Sequence, residues 1–139
     1  MHRFTPDDLP ELNKMYAKRH NHMREVYKEK GFTAVFSDIE LEDLPLNGWI
    51  EAGVGAMFLV STDTRTAYVE YMVTDPDASA RQRSDFIDAT FYAMDARAKE
   101  LGFKTLVGWP NEQQTVDRAI KRYGWEAGTV AQTVIYRVK

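Results

Sequence analysis

The chain predicts an α/β fold: a mixed central sheet with helices on both faces. Two observations predict it. Strand-like and amphipathic helical runs follow one another as strand, helix (one long or two short), three strands, helix, strand, helix, strand. The sharpest change of period falls inside Tyr68–Phe103. There Tyr68–Val73 is rich in β-branched and aromatic residues and is closed by Pro76, as a strand should be. Ile87, Phe91, Met94, Ala98 and Leu101 then recur at steps of 4 and 3, which marks one face of a helix.

Each element has its own local warrant. His2–Phe4 reads as a short first strand. Thr5 is placed to cap a helix, with Pro6 at its first position and Asp7 and Asp8 in its first turn, where acids oppose the positive dipole end. Leu9, Leu12, Met15 and Tyr16 share a face. The pattern turns polar through Lys18, Arg19, His20 and His22, and Met23, Val26 and Tyr27 restore it up to Lys30, with Gly31 as C-cap. Thr33–Phe36 is apolar but short, and Ser37–Pro45 fits a helical turn or a loop. Trp49–Ala52 and Gly55–Ser61 flank a Gly-Val-Gly step and form a hairpin. Beyond the polar turn Thr62–Arg65, Tyr68–Val73 completes a meander. Gly102 ends the central helix, Lys104–Trp109 is a further strand, and Asn111 caps a helix reaching Tyr123 with Val116, Ala119 and Ile120 inward. Gly124 terminates it, and Thr129–Val138 alternates as a last strand.

Composition narrows the function. The 139 residues suit one domain spanning 1–139. With 18 basic and 21 acidic side chains the net charge is −3, so no general attraction to nucleic acid or an anionic membrane is expected. The absence of cysteine excludes disulfides, thiolate catalysis and Cys-ligated zinc. His20 and His22 stand two apart, diverging by about 200° on a helix, so no metal site is expected. The N-terminus lacks the apolar run of a signal peptide and no stretch is long and apolar enough to span a membrane. A cytoplasmic protein is the expectation. Nothing resembles a nucleophilic triad or a phosphate-binding Walker loop.

The functional lead lies between the strand and the central helix. Arg81, Gln82 and Arg83 form a short polar segment there. A helix start offers unpaired N–H groups and a positive dipole end, which suits a phosphate.

The order of elements, with a long helix in the middle, resembles the GNAT acetyltransferase superfamily. Arg3–Leu12 (RFTPDDLPEL) resembles the opening strand and helix of that family. Val73 followed by Pro76 resembles the end of its fourth strand. Leu106–Asn111 (LVGWPN) with Tyr123-Gly124-Trp125 is similar to its fifth strand, Asn-started helix and Gly-aromatic corner. The resemblance covers nearly the whole chain and implies a site. An acyl-CoA arm would lie between splayed fourth and fifth strands and pair with backbone near Met72 and Val73. Its pyrophosphate would rest on the start of the central helix, at Arg81, Gln82, Arg83 and Ser84, with Asn111 nearby. An amine of a small-molecule or protein acceptor would attack the acetyl-CoA thioester. Glu70, the acid within the fourth strand, would be the base, and Tyr123 would protonate the leaving thiolate.

The likeness includes departures. The family's phosphate motif falls on Gln82–Ile87, where Asp85 and Ile87 replace small residues, and glycine is used there so that backbone can approach phosphate. The family's usual catalytic tyrosine falls on Ile120. A second reading therefore stands beside the enzyme: a GNAT-fold binding or assembly module that has lost the reaction and acts through a protein partner or self-association. Small proteins of that kind among tailed-phage head and virion components are similar in general look, which extends the expected location to a virion.

Overall fold

The computed structural model describes residues 1–29, 31, 37–110, 112–128 and 138, the side chain of Tyr27 excepted. Strands β1 (His2–Arg3), β2 (Asn47–Glu51), β3 (Gly55–Val60), β4 (Thr66–Thr74) and β5 (Thr105–Gly108) lie side by side in that order in one sheet. The first four are antiparallel neighbours, and β5 runs parallel to β4. The α/β mixed sheet expected from the sequence is thus present. Trp109–Lys139 forms a separate compact unit from Met1–Gly108 and is described by itself below.

The two faces of the sheet bury different clusters. Helix α1 (Leu9–His22) places Leu12 and Met15, both fully buried, against Ile50, Ala56, Phe58 and Val73. Helix α3 (Ala80–Glu100) places Met94 and Ala98 on the opposite face against Trp49, Met57, Leu59 and Ala67. Alternate strand residues point to opposite faces, so β3 feeds both clusters, Ala56 and Phe58 to one and Met57 and Leu59 to the other.

Several boundaries differ from those read in the sequence. Thr5, Pro6 and Asp8 start the first helical region, but as a 3₁₀ turn (Pro6–Asp8) leading into α1. The Asp8 carboxylate accepts from the Thr5 N–H at 2.8 Å. The polar stretch after Tyr16 does not end the helix; Met23 does, with ψ near 2°, and a short α2 (Arg24–Glu29) follows. Leu41–Asp43 forms a 3₁₀ turn. The short apolar stretch at residues 33–36, and residues 129–137 of the expected last strand, lie outside the described residues.

The buried face of α3 agrees with the expected one at Met94 and Ala98 but differs by one residue in its first half, where Phe86 and Thr90 are buried instead of Ile87 and Phe91, and Leu101 is 40% exposed. The reading stepped over Thr90 because it is polar. Its hydroxyl instead donates to the Met1 thioether at 3.0 Å, which satisfies the buried group. Phe86 lies over Gly55, where a Cβ would approach its ring to 2.7 Å and the Val73 carbonyl to 2.9 Å.

A similar close approach fixes the other face. The Phe58 ring covers Gly48, with Phe4 edge-on at 5.1 Å and Tyr71 at 6.1 Å. A Cβ at Gly48 would enter that ring. The Gly48→Ala variant is therefore expected to lose about 1–3 kcal/mol through overpacking, read as a lower urea midpoint. An unaltered midpoint would show that Phe58 moves aside freely.

Candidate functional site

The pairing of β4 with β5 covers half of β4. It runs from Thr66 opposite Thr105 to Val69 opposite Gly108 and stops there. Glu70–Thr74 continues as strand, and among the described residues no strand pairs its β5 side. At the rise of an extended chain this leaves roughly 16 Å of strand edge that no described strand pairs, with the Thr74 carbonyl at its end taken by Arg19. Such an edge can take up an extended amide-bearing chain by adding a strand to the sheet. Met72 and Val73 lie within it.

A bulge sets what projects beside this edge. Ala56 pairs with Val73 and Phe58 with Glu70, so Met57 alone faces Tyr71 and Met72. Tyr71 takes φ 54°, the one positive-φ residue other than glycine among those described. For a tyrosine that conformation costs about 1–3 kcal/mol, and bulges re-aim side chains where they occur. Here the result is plain. Glu70 and Tyr71, neighbours that a regular strand would send to opposite faces, line the same cavity. Met72 goes to the α3 face and Val73 to the α1 face.

That cavity is broadly open to solvent and holds about 600 Å³, lined by Asp43, Leu44, Pro45, Val60, Glu70 and Tyr71 among others. Burial, then the Asp43 and Glu70 charges, push the Tyr71 phenol up. Tyr16 of α1 lies close by. Burial pushes its phenol up more strongly, Tyr71 and Glu70 adding to it. The Tyr16 hydroxyl is buried without a hydrogen-bond partner. Both phenols are neutral donors at neutral pH, and Glu70 is a carboxylate able to accept a proton. Sequence reasoning missed Tyr16, Tyr71 and Asp43 as site residues. The first two read as apolar-face and sheet-core aromatics, and the bulge in β4 brings Tyr71 to the cavity that Glu70 lines.

Arg81, Gln82, Arg83 and Ser84 lie at the start of the central helix, in the first turns of α3, which begins at Ala80. The cause is a capping box. The Ser79 hydroxyl accepts from the Gln82 N–H at 3.1 Å, and the Gln82 side chain accepts from the Ser79 N–H at 2.9 Å. The positions matched to the phosphate motif, Gln82–Ile87, therefore sit inside the helix. Asp85 does not fill the strand opening; its side chain is 73% exposed and stands 3.8 Å from Arg81. Arg83 turns back and donates to the Pro76 and Ala78 carbonyls. What remains for an anion is the Ala80 and Arg81 N–H pair at the first two helical positions and the outstretched Arg81 side chain.

The turn is also anchored to α1. Asp75 is buried, and its carboxylate takes the Asp77 N–H at 2.9 Å and the Lys18 ammonium at 3.1 Å. Lys18 also reaches Asp77 at 3.0 Å. Arg19 donates to the Thr74 carbonyl at 2.9 Å and to its hydroxyl at 2.8 Å. The polar break in the α1 pattern at Lys18 and Arg19 was the visible signal of this docking.

In the second unit, α4 (Gln113–Tyr123) ends at Gly124 in the left-handed region, as expected. Tyr123 is its last residue, and the Arg118 guanidinium donates to its hydroxyl at 3.0 Å. Val116 and Ala119 are half-buried, whereas Ile120, expected inward, is 40% exposed. Asn111, the expected cap, lies outside the described residues, and Glu112 occupies the N-cap position. Among the described residues no group of three or more His, Cys, Asp or Glu side chains is placed to hold a metal. No helix among them is long and apolar enough to cross a membrane.

No protein-family model matches the chain, and no curated protein matches its sequence. Solved structures do match its fold. A mutant of the BH1408 protein from Bacillus halodurans is 13% identical, with 98% of each chain covered and a TM-score of 0.64. A protein assigned as an acetyltransferase from Agrobacterium tumefaciens is 15% identical over 97% of this chain and 98% of its own, with a TM-score of 0.59. An aminoglycoside antibiotic 6'-N-acetyltransferase from Acinetobacter haemolyticus is 11% identical over 99% and 98%, with a TM-score of 0.52. The chain has the GNAT acetyltransferase fold. At these identities the likeness defines the scaffold, and function has to be argued from the site.

The Asp75–Lys18 contact makes a pH-dependent prediction. Burial alone would raise the Asp75 carboxyl, but the Asp77 N–H and the Lys18 ammonium outweigh it and hold it below the ordinary carboxylate range. A carboxyl depressed in the folded state adds stability above its unfolded pKa, and that stability is lost as pH falls through the folded value. Asp75→Asn is expected to be less stable than the parent at neutral pH, with the gap closing as both are acidified. Urea unfolding across that range measures it; a constant gap would rule out the charge as its cause.

Proposed function

We propose that the chain is an acetyl-CoA-dependent N-acetyltransferase acting on an amine at the cavity beside Glu70. The observation that carries this is the unpaired β4 edge, Glu70–Thr74, running beside a cavity that Glu70 and Tyr71 line. A strand edge that can pair an amide chain lies next to a carboxylate that can take a proton, as direct transfer to an amine requires.

The residues present fit acetyl-CoA in part. The backbone of Met72 and Val73 would hold the amide-rich arm, and the Ala80 and Arg81 N–H groups with the Arg81 guanidinium would meet the diphosphate. Bound there, acetyl-CoA supplies an activated acyl thioester. Glu70 takes the proton released by the attacking nitrogen. Tyr71 and Tyr16, kept neutral, offer O–H donors beside Glu70 and help orient the acceptor.

The closed turn favours a second reading, a GNAT-fold module without catalysis that acts by binding a protein partner or another copy of itself. Its support is specific: the capping box and the Arg83 clamp occupy groups that a diphosphate would otherwise use.

Melting with acetyl-CoA separates the two. A binder at a hundred times its Kd should gain about 2.7 kcal/mol, and an unmoved melting temperature up to millimolar ligand would remove the enzyme reading. Arg81→Ala should weaken acetyl-CoA binding without changing the melting temperature of the free protein. Arg83→Ala should lower that temperature, because its side chain holds the turn; equal effects of the two on both readouts would discard this division of labour. Glu70→Gln should cut kcat by about 10²–10⁴ while acetyl-CoA still binds, and full activity in that variant would remove Glu70 as base.

A further inference from the structure

We propose that the Tyr16 hydroxyl is a hydrogen-bond donor kept for the ligand, and that its partner is the acyl carbonyl oxygen of the thioester. The proposal rests on the transferase reading and gives this phenol a definite task within it. What the oxygen lacks, where the ring lies and what surrounds it all bear on the assignment.

Among the described residues, the Tyr16 hydroxyl is the one buried side-chain nitrogen or oxygen without a hydrogen-bond partner. The buried polar side chains elsewhere have theirs: Asn47 from Arg3 and Arg97, Asp75 from Lys18 and the Asp77 N–H, Thr90 at Met1. A buried hydroxyl left without a partner destabilises the fold. Phenylalanine would fill the same space without that cost. The ring serves the packing, and the oxygen serves something the free protein does not contain.

The ring lies against the open half of β4. Leu12 and Met15, just before it in α1, are buried with Phe58 and Val73, and Tyr16 and Tyr71 both pack on that cluster. One helical turn further on, Arg19 donates to the Thr74 carbonyl. Tyr16 is thereby placed beside Tyr71–Thr74, along the stretch that β5 leaves unpaired. Tyr71 also lines the cavity, so its side chain is the one that an entering group turns aside to reach the hydroxyl.

The surroundings choose the partner. Burial pushes the phenol up, so it stays an O–H donor in need of an acceptor. Glu70 stands next to Tyr71 in the same strand, and its charge opposes a second carboxylate. The cluster on which the ring packs is apolar, which costs a charged group its hydration and suits a short neutral one. A thioester carbonyl oxygen is an uncharged acceptor of that kind, carried at the end of the amide-bearing arm that the β4 edge can pair.

Calorimetric titration of the full chain with acetyl-CoA, and with CoA that lacks the acyl carbonyl, tests this together with thermal unfolding of the free protein. Tyr16→Phe removes the oxygen and keeps the ring. The variant should bind acetyl-CoA about tenfold more weakly than the parent and CoA equally well. It should also melt about 2–4 °C higher without ligand, since the unsatisfied group is gone. A hydroxyl with a purely structural role gives the opposite sign, a lower melting temperature with both ligands weakened alike. Unchanged acetyl-CoA affinity, equal weakening of both ligands, or a melting temperature at or below the parent's would each overturn the proposal. A parallel acetyl-transfer assay keeps its fate distinct from that of the transferase reading. Undiminished binding and transfer in Tyr16→Phe discard the hydroxyl and leave the enzyme standing. A Tyr16-dependent preference for acetyl-CoA over CoA, with no transfer to any amine, does the reverse. A parent that binds neither ligand refutes both.

Discussion

The structure depends on where one strand pairing stops. The β4–β5 ladder ends at Val69 and Gly108 while β4 runs on to Thr74. A parallel pair that stopped together would leave an ordinary sheet edge. A pair that stops halfway leaves an inner strand with one satisfied side and one open side. Backbone groups buried without partners are costly, so an opening of this kind persists where solvent or a ligand can reach it. The bulge at Tyr71–Met72 falls within that open half, and its strained φ is held by the Phe58 ring, itself seated on Gly48.

Around that opening the molecule sorts its charges into two kinds. At the end of β4 the cations of α1 are spent on structure: Lys18 on Asp75 and Asp77, Arg19 on Thr74. Among the described residues, the carboxylates of Asp43 and Glu70 at the cavity have neither an ion pair nor a hydrogen bond. The first arrangement fixes the position of the turn against α1, and the second leaves a polar surface that a ligand can complete. Compensated charge reads as architecture, and uncompensated charge beside a cavity reads as recognition.

The fold was legible in the sequence to a large extent. Periods of two and of three to four residues separated strands from helices, and Leu12 and Met15 were placed in the core. The errors have physical causes. Thr90 hid the true face of α3, because a polar residue satisfied by Met1 looks like a break in an apolar stripe. The start of the central helix at Arg81–Ser84 was legible, but the Ser79–Gln82 capping box that sets it was not. Glu70 was legible as a candidate because it is the one acid in its strand; its companions Tyr71 and Asp43 were not.

By itself the sequence determined what depends on near neighbours: the order of elements, the amphipathic faces, and the helix ends at Gly102 and Gly124, whose φ values of 84° and 72° are ones that a Cβ opposes. Only the tertiary structure decided what depends on residues far apart in the chain. Lys18 meets Asp75 across 57 positions, β5 releases β4 at Val69, and Asp43 and Glu70 line one cavity. No local pattern encodes these, because each is set by how the sheet twists, bulges and receives its helices.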